Sequence, residues 1–307
     1  MANPKYLSMN GAIVPFAEAK VHVLSPCVKY GAAVFEGIRG YWNAERKDMY
    51  LFRLREHLDR LRFSMNVMRF EHDIDSRAIE HALVDLIKAN ELRENIHIRV
   101  LVYVDGEGDM FSPGPVSWSL STLPAPTTKA VTDGIHVAVS SWRRINDNAM
   151  PPRVKATANY NNGRLAGMQG RLDGYDNVIL LTHQGRVAES PGSCFFMVRD
   201  GQALTPDVTS DILESITRDT VMRIFAEDLG RDAAARDIDR TELYAAQECF
   251  FCGSGYEIQP ILSIDRHRIG DGAIGPLTRR LQQRYFALVR GDTDDHPEWR
   301  TAVWRAN

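Results

Sequence analysis

Lys155 lies in Pro151-Pro152-Arg153-Val154-Lys155-Ala156-Thr157-Ala158-Asn159-Tyr160, just ahead of a helix expected to begin near Asn159. A lysine amine held among apolar or cationic groups can attack a carbonyl carbon and form a Schiff base. A solvated loop lysine has the same sequence appearance, and this segment taken alone favours that reading. Thr217 begins another expected helix after Leu213-Glu214-Ser215-Ile216, offering hydroxyls and backbone N–H groups at a positive helix end that suits a phosphate. An ordinary Ser/Thr cap would read identically. Gly253-Ser254-Gly255 follows an apolar run and allows a ligand to approach the backbone closely, or is a plain turn. Glu189 stands between two strand candidates, as a surface carboxylate or as a buried partner for a cationic ring nitrogen; periodicity does not decide. Cys249-Phe250-Phe251-Cys252 has C-x-x-C spacing, but no second pair and no histidine cluster completes a metal site. Two apolar thiols in a buried strand are the better reading, and no metal is expected. Neither a Walker loop nor a dinucleotide fingerprint occurs.

These residues need elements to hold them. Asn10-Gly11 between short strand candidates signals a hairpin. Asp48 to Arg53 reads as a strand, and Leu58, Leu61, Met65 and Met68 form a helical stripe within Arg55 to Arg69. Arg60 falls away from that stripe, so periodicity alone places it at the surface. Asp75-Ser76 caps a helix whose inner face is Ile79, Leu83, Leu86 and Ile87. Ile96, Ile98, Val100 and Val102 then alternate along a strand, which sets His97 and Arg99 side by side on its other face, roughly 6–7 Å apart. Leu123 to Lys129, rich in Pro and Thr, reads as a linker. Beyond it come strands at Ile135 to Ser140, Asn177 to Thr182, Phe195 to Val198, Cys249 to Cys252 and Ile258 to Ile264. Helices follow Thr217 and Gly275. The mixture lacks a regular βαβ beat, so two α+β domains fit better than a doubly wound sheet.

A chain of 307 residues with 44% hydrophobic and 25% charged residues has material for two sizeable cores. The net charge of -3 supplies no polybasic field for nucleic acid or for a membrane surface. No apolar run approaches the roughly 20 residues that span a bilayer, and the first residues carry no apolar segment. A cytoplasmic protein with reduced cysteines is the expectation.

In order and with matching separations, these segments resemble the branched-chain aminotransferase family almost end to end. The resemblance is carried by Lys20-Val21-His22-Val23, Tyr30-Gly31-Ala32-Ala33-Val34-Phe35-Glu36-Gly37-Ile38-Arg39 and Phe52-Arg53-Leu54-Arg55-Glu56-His57-Leu58-Asp59-Arg60-Leu61. It continues through Lys155 to Tyr160, Ile216-Thr217-Arg218-Asp219, Cys252-Gly253-Ser254-Gly255-Tyr256-Glu257-Ile258 and Ile274-Gly275-Pro276-Leu277-Thr278. It implies an α+β, two-domain fold of type IV, like that of D-amino-acid aminotransferase. The cofactor would lie between a small domain (1–123) and a large one (134–307), joined by a linker over 124–133.

The resemblance also implies pyridoxal 5'-phosphate on Lys155, with Tyr160 on the cofactor's phenolic oxygen and Glu189 on its ring nitrogen. Arg60, Ile216, Thr217 and Ser254 would take the phosphate, which overrides the surface reading of Arg60. Tyr30, Phe35, Gly37, Arg39, His97, Arg99 and Tyr256 would line the substrate pocket. Arg99 would meet a distal carboxylate, and the Ser254 and Gly255 amides the α-carboxylate. The implied reaction moves the amino group of leucine, isoleucine or valine to 2-oxoglutarate in ping-pong fashion. Amino acids and 2-keto acids are the small-molecule partners, and a homodimer is the smallest assembly.

His97-Ile98-Arg99 stands where the family commonly has Tyr-x-Arg, and Asp105 to Phe111 is more acidic than usual. Tyr256 replaces a frequent Ala, and Ser190 to Cys194 departs from a segment that usually ends in Asn. A narrowed or recharged pocket would make leucine and isoleucine poorer donors. Two alternatives share the fold: a transaminase for D-amino acids or primary amines, and a lyase of the aminodeoxychorismate type. The order His97-x-Arg99, opposite to the Arg-x-His of D-amino-acid enzymes, argues against the first. The Tyr30 to Arg39 segment and Arg99 argue against the second.

Overall fold

The computed structural model describes residues 3–230 and 232–304. Two compact units emerge: one of Met1–Pro126, Val154–Ala158 and Ala287–Asn307, the other of Thr127–Arg153 and Asn159–Phe286.

The first unit opens with the hairpin β1 (Tyr6–Met9) and β2 (Ala12–Pro15). Asn10 and Gly11 between them take φ of 50° and 87°, the left-handed pair that a tight hairpin turn requires. Helix α1 (Pro26–Tyr30) precedes β3 (Ala33–Asn43) and β4 (Asp48–Phe52). Helices α2 (Leu54–Val67) and α3 (Ser76–Ala89) and strands β5 (Ile96–Val104) and β6 (Val116–Pro124) follow. Among the described residues a seven-stranded sheet forms, in which β3 lies between β4 and β5. Asp75 caps α3 by accepting from the Arg77 N–H at 3.0 Å. The stripe of α2 and the inner face of α3 pack on Val34, Ile38, Ile98, Val100 and Val102 to make the core.

The second unit contains α4 (Lys129–Asp133), β7 (Ile135–Arg143), α5 (Tyr160–Leu172), β8 (Asn177–Leu181), β9 (Cys194–Arg199) and β10 (Gln202–Thr205). Helix α6 (Ile216–Glu227), strands β11 (Ala234–Ala235), β12 (Glu248–Gly253), β13 (Glu257–Ile264) and β14 (His267–Arg268) and helix α7 (Pro276–Arg290), whose residues from 287 on group with the first unit, complete the order. Its sheet runs β11-β10-β9-β12-β13-β7-β8. Phe195, Met197, Phe251, Ile261 and Ile264 are buried on one side of it.

The division expected from the sequence differs from these units in two ways. Lys129–Asp133, placed in the 124–133 linker, is helical and belongs to the second unit. Residues 154–158 and 287–307, placed in the large domain, group with the first unit. The cause is strand pairing over long separations: Ala156 bridges to Val34, and Arg300–Ala302 pairs antiparallel with β4. Local texture carries no record of such pairing.

One buried acid anchors α7. The Glu248 carboxylate, on β12, accepts from the Leu277 N–H at 3.0 Å, the Thr278 N–H at 2.7 Å and the Thr278 hydroxyl at 2.7 Å. First-turn N–H groups have no partner within their own helix, and leaving them unmet in a dry place is costly. Glu248→Ala is therefore expected to lower the stability to urea by about 2 kcal/mol, within the range for lost caps. Equilibrium unfolding checks this, and an unchanged midpoint would contradict it.

Candidate active site

The candidate site residues fall into two groups, one in each unit. In the first unit, the part of β3 that pairs with β4 is Gly40 to Asn43. The Lys155 segment pairs with the same strand nearer its start, so that the Phe35 N–H donates to the Lys155 carbonyl at 2.9 Å and the Thr157 N–H donates to Ala33 at 3.0 Å. On the other side of the peptide, the Lys155 N–H donates to the Ser64 hydroxyl of α2 at 3.2 Å. The backbone of Lys155 is thus held by both a strand and a helix, and the residue is only 9% exposed. A solvated loop lysine is ruled out. Its Nζ lies 4.9 Å from the centre of the Phe35 ring, over which the Arg99 guanidinium also sits at 4.2 Å.

Phe35, Gly37 and Arg39 alternate onto one face of β3 and oppose Leu101, Arg99 and His97 of β5 in register. A Cβ added at Gly37 would come within 3.0 Å of His97 Nε2, so the glycine makes room for the imidazole. Arg39 is buried and Arg99 exposed. Tyr30, at the end of α1, is exposed. Burial first, and the charges of Arg99 and Arg39 next, push the His97 pKa down to about 4 from an ordinary 6.5. The folded protein therefore holds His97 neutral across the window from 6.5 down to 4, where the unfolded chain takes up a proton. Stability from this residue is present above pH 6.5 and is lost as pH falls towards 4. His97→Phe is expected to lose about 1 kcal/mol less than the parent on going from neutral pH to mildly acidic pH, an amount discounted for partial exposure. Urea titrations at the two pH values measure the difference, and equal losses would contradict it.

Arg60 departs from the surface position that periodicity gives it. Its side chain is 12% exposed, and its guanidinium is engaged with Glu36. The stripe Leu54, Leu58, Leu61, Met65 faces the core, while His57, Arg60 and Ser64 form a polar seam beside it, spaced three and four residues apart.

In the second unit, Glu189 is buried and its main chain pairs with β8 through the Leu180 N–H at 2.8 Å. Arg144, just after β7, reaches its carboxylate at 2.7 Å. The Leu213 N–H lies 3.3 Å from each carboxylate oxygen, and the Cys194 thiol donates to Oε2 at 3.7 Å. Helix α6 begins at Ile216 and Thr217, both buried, with Ser215 accepting from the Arg218 N–H at 3.2 Å. Tyr160 is the first residue of α5. Ser254 and Gly255 occupy the turn between β12 and β13, closed by the Tyr256 N–H donating to Gly253 at 3.0 Å. The Tyr256 ring lies against Gly192, where a Cβ would sit 3.2 Å from it, and its hydroxyl engages Asn177. Gly192 thus takes up the bulk that separates Tyr256 from an alanine.

Glu36, His57, Ser64, Arg144 and Cys194 are not singled out by sequence reasoning. Glu36 does leave a signal, as the one charge among Val34 and Ile38 on a core-facing alternation. Arg144 leaves none. Cys249 and Cys252 are both buried, with burial raising both thiols. Cys252 is paired in register with Cys194, whereas Cys249 faces Met197. Among the described residues no cluster of three or more His, Cys, Asp or Glu is placed to hold a metal, and no helix is long and apolar enough to cross a membrane.

The first unit holds a buried amine on a rigid backbone, and the second a carboxylate backed by an arginine and a capped helix start; each is a residue type suited to handling amines through a carbonyl cofactor. The model of the family described as Amino-transferase class IV matches residues 33–264. The chain belongs to this family. It is 35% identical over 298 residues to the probable branched-chain-amino-acid aminotransferase of Aquifex aeolicus, covering 96% of this chain and 95% of that one. The branched-chain amino acid aminotransferase of Thermobaculum terrenum, solved in its PLP-form, superposes with a TM-score of 0.93 at 43% identity, covering 99% and 100% of the two chains. The T.th. branched-chain amino acid aminotransferase complexed with N-(5'-phosphopyridoxyl)-L-glutamate gives 0.92 at 36% identity, covering 99% and 100%.

Proposed function

We propose that this protein is a pyridoxal-phosphate-dependent transaminase that moves the amino group of L-leucine, L-isoleucine or L-valine to 2-oxoglutarate. The carrying observation is Lys155, buried and held at both its N–H and its carbonyl. The residues present fit the cofactor: an amine for its aldehyde, the Glu189 carboxylate for a protonated ring nitrogen, and Arg60 with the start of α6 for its phosphate. When bound, pyridoxal phosphate supplies an aldehyde that takes up the amine and a ring that accepts electrons from Cα.

The roles of the chain's own groups follow. Lys155 Nζ takes the proton from the substrate Cα, a short transfer that its fixed backbone keeps in register. Glu189, backed by Arg144, holds the ring nitrogen protonated, and Tyr160 binds the phenolic oxygen. Arg60, Ile216, Thr217 and Ser254 hold the phosphate. The Ser254 and Gly255 amides hold the α-carboxylate. Tyr30, Phe35, Gly37, Arg39, His97 and Tyr256 border the side chain, and Arg99 pairs with the distal carboxylate of glutamate. That reading of Arg99 is supported by the relative solved with a phosphopyridoxyl-glutamate adduct and by the guanidinium pair on one face of β3 and β5.

The working form is proposed to be a homodimer in the cytoplasm. Val23, Leu24, Val28 and Tyr30 are exposed around α1, together with Met110 and the 81% exposed Phe111. The Lys29 side chain bonds the Gly108 carbonyl and so joins these two stretches. An apolar patch of this kind is suited to a second copy of the chain, and light scattering on Phe111→Asp tests it.

A donor–acceptor panel with both enantiomers of each amino acid tests the function. Fast turnover of the three branched-chain L-amino acids with 2-oxoglutarate is expected. Preference for D-amino acids or primary amines, or pyruvate released from aminodeoxychorismate without an acceptor, would overturn the proposal.

A further inference from the structure

Glu36 is fully buried, yet it is an anion in the middle of an apolar strand face. Its Oε1 accepts from Arg60 Nε at 2.8 Å and its Oε2 from an Arg60 Nη at 2.7 Å, while His57 Nδ1 lies 2.7 Å from Oε2. Burial would raise this carboxyl, but the Arg60 charge and the hydrogen bonds of Arg60 and His57 outweigh it and hold it well below the usual range. Burial also lowers the His57 pKa, so the imidazole is neutral and its Nδ1–H donates to the anion. A two-pronged pair fixes both the plane and the direction of a guanidinium, which single contacts do not. His57 and Arg60 come from one face of α2, and Ser64, one turn further along it, accepts the Lys155 N–H. One helix face therefore sets both an arginine fork and the amine's backbone.

We infer that Glu36 is a positioning residue for the cofactor phosphate, acting through Arg60 and steadied by His57. The inference rests on the reading that Arg60 receives that phosphate. The guanidinium carries five N–H donors in a fixed array, and Glu36, by gripping one edge of it, aims the rest of the fork. The alternative is that Glu36 is merely a negative charge near a dianion. These two roles predict opposite signs. Removing a repelling charge would tighten phosphate binding, whereas releasing an aimed arginine would weaken it.

The test compares pyridoxal 5'-phosphate with pyridoxal, which lacks the phosphate, for affinity to the apoprotein by absorbance and fluorescence. Glu36→Gln keeps the size of the side chain and is expected to weaken pyridoxal phosphate binding about tenfold, with pyridoxal binding within about twofold of the parent. On an Arg60→Gln background, Glu36→Gln is expected to add nothing further. Glu36→Asp, which keeps the charge but withdraws the carboxylate, should show the same selective loss if the Gln variant does not fold. Equal weakening of both ligands would mark Glu36 as a structural residue only, and unchanged or tighter pyridoxal phosphate binding would overturn the inference. Arg60→Gln separates the two failures. If it weakens pyridoxal phosphate while Glu36→Gln does not, the inference alone is wrong; if Arg60→Gln has no effect, the role given to Arg60 falls with it.

Discussion

Lys155→Ala is expected to remove the cofactor's visible absorbance band and to cut turnover by at least about a thousandfold, within the span of a lost acid–base group plus a lost covalent attachment. The fold should tolerate the change. The peptide of residue 155 is held by Phe35 and Ser64 through main-chain groups that alanine keeps. The apoprotein melting temperature should therefore move by no more than about 2 °C, the equivalent of about 1 kcal/mol in a chain of this size. Borohydride treatment of the parent followed by peptide mapping should find the label on Lys155. A label elsewhere, or turnover that survives in the variant, would remove the basis for the site.

Glu189→Gln has two expected effects with different origins. Turnover should fall by about a hundredfold to a thousandfold, as when one preorganised electrostatic group is lost from a buried site. Stability should fall by about 3 kcal/mol, because Arg144 is left as a buried cation without its carboxylate. The pairing of Arg144→Met with Glu189→Gln separates the two. The double variant should regain part of the stability, since the buried Arg144 cation left without its partner is removed as well. It should regain none of the turnover. Recovery of activity in the double variant would show that Glu189 acts only through packing.

The two predictions differ in how far they can be foreseen. Lys155 and Glu189 are both visible as residues of suitable type, but burial decides their roles, and burial arises from pairing over distance. Lys155 is dry because Ala156 bridges to Val34, well over a hundred positions away in the chain. Helices with a single apolar stripe, such as α3, are legible residue by residue because one helix supplies its own period. Arg60 shows the limit of that method. A second, polar seam on α2 is invisible to a scan for apolar residues, and its meaning depends on Glu36 of another element. Arg144 is beyond reach altogether, since its place is set by the register between β7 and β8. Tyr256 looks like an obstruction in the pocket, yet the room for its ring is provided by Gly192.

The Lys155 segment behaves as one more strand beside β3, and this has a bearing on how the molecule ages and fails. Amide protons at Phe35 and Thr157 are shut into that pairing, so deuterium can reach them only when the sheet itself opens. The backbone of the reactive amine is then tied to the sheet rather than to a loosely tethered loop. Heat should spoil catalysis and melt the sheet in a single event, with no warmed, still-folded species that has lost its lysine geometry.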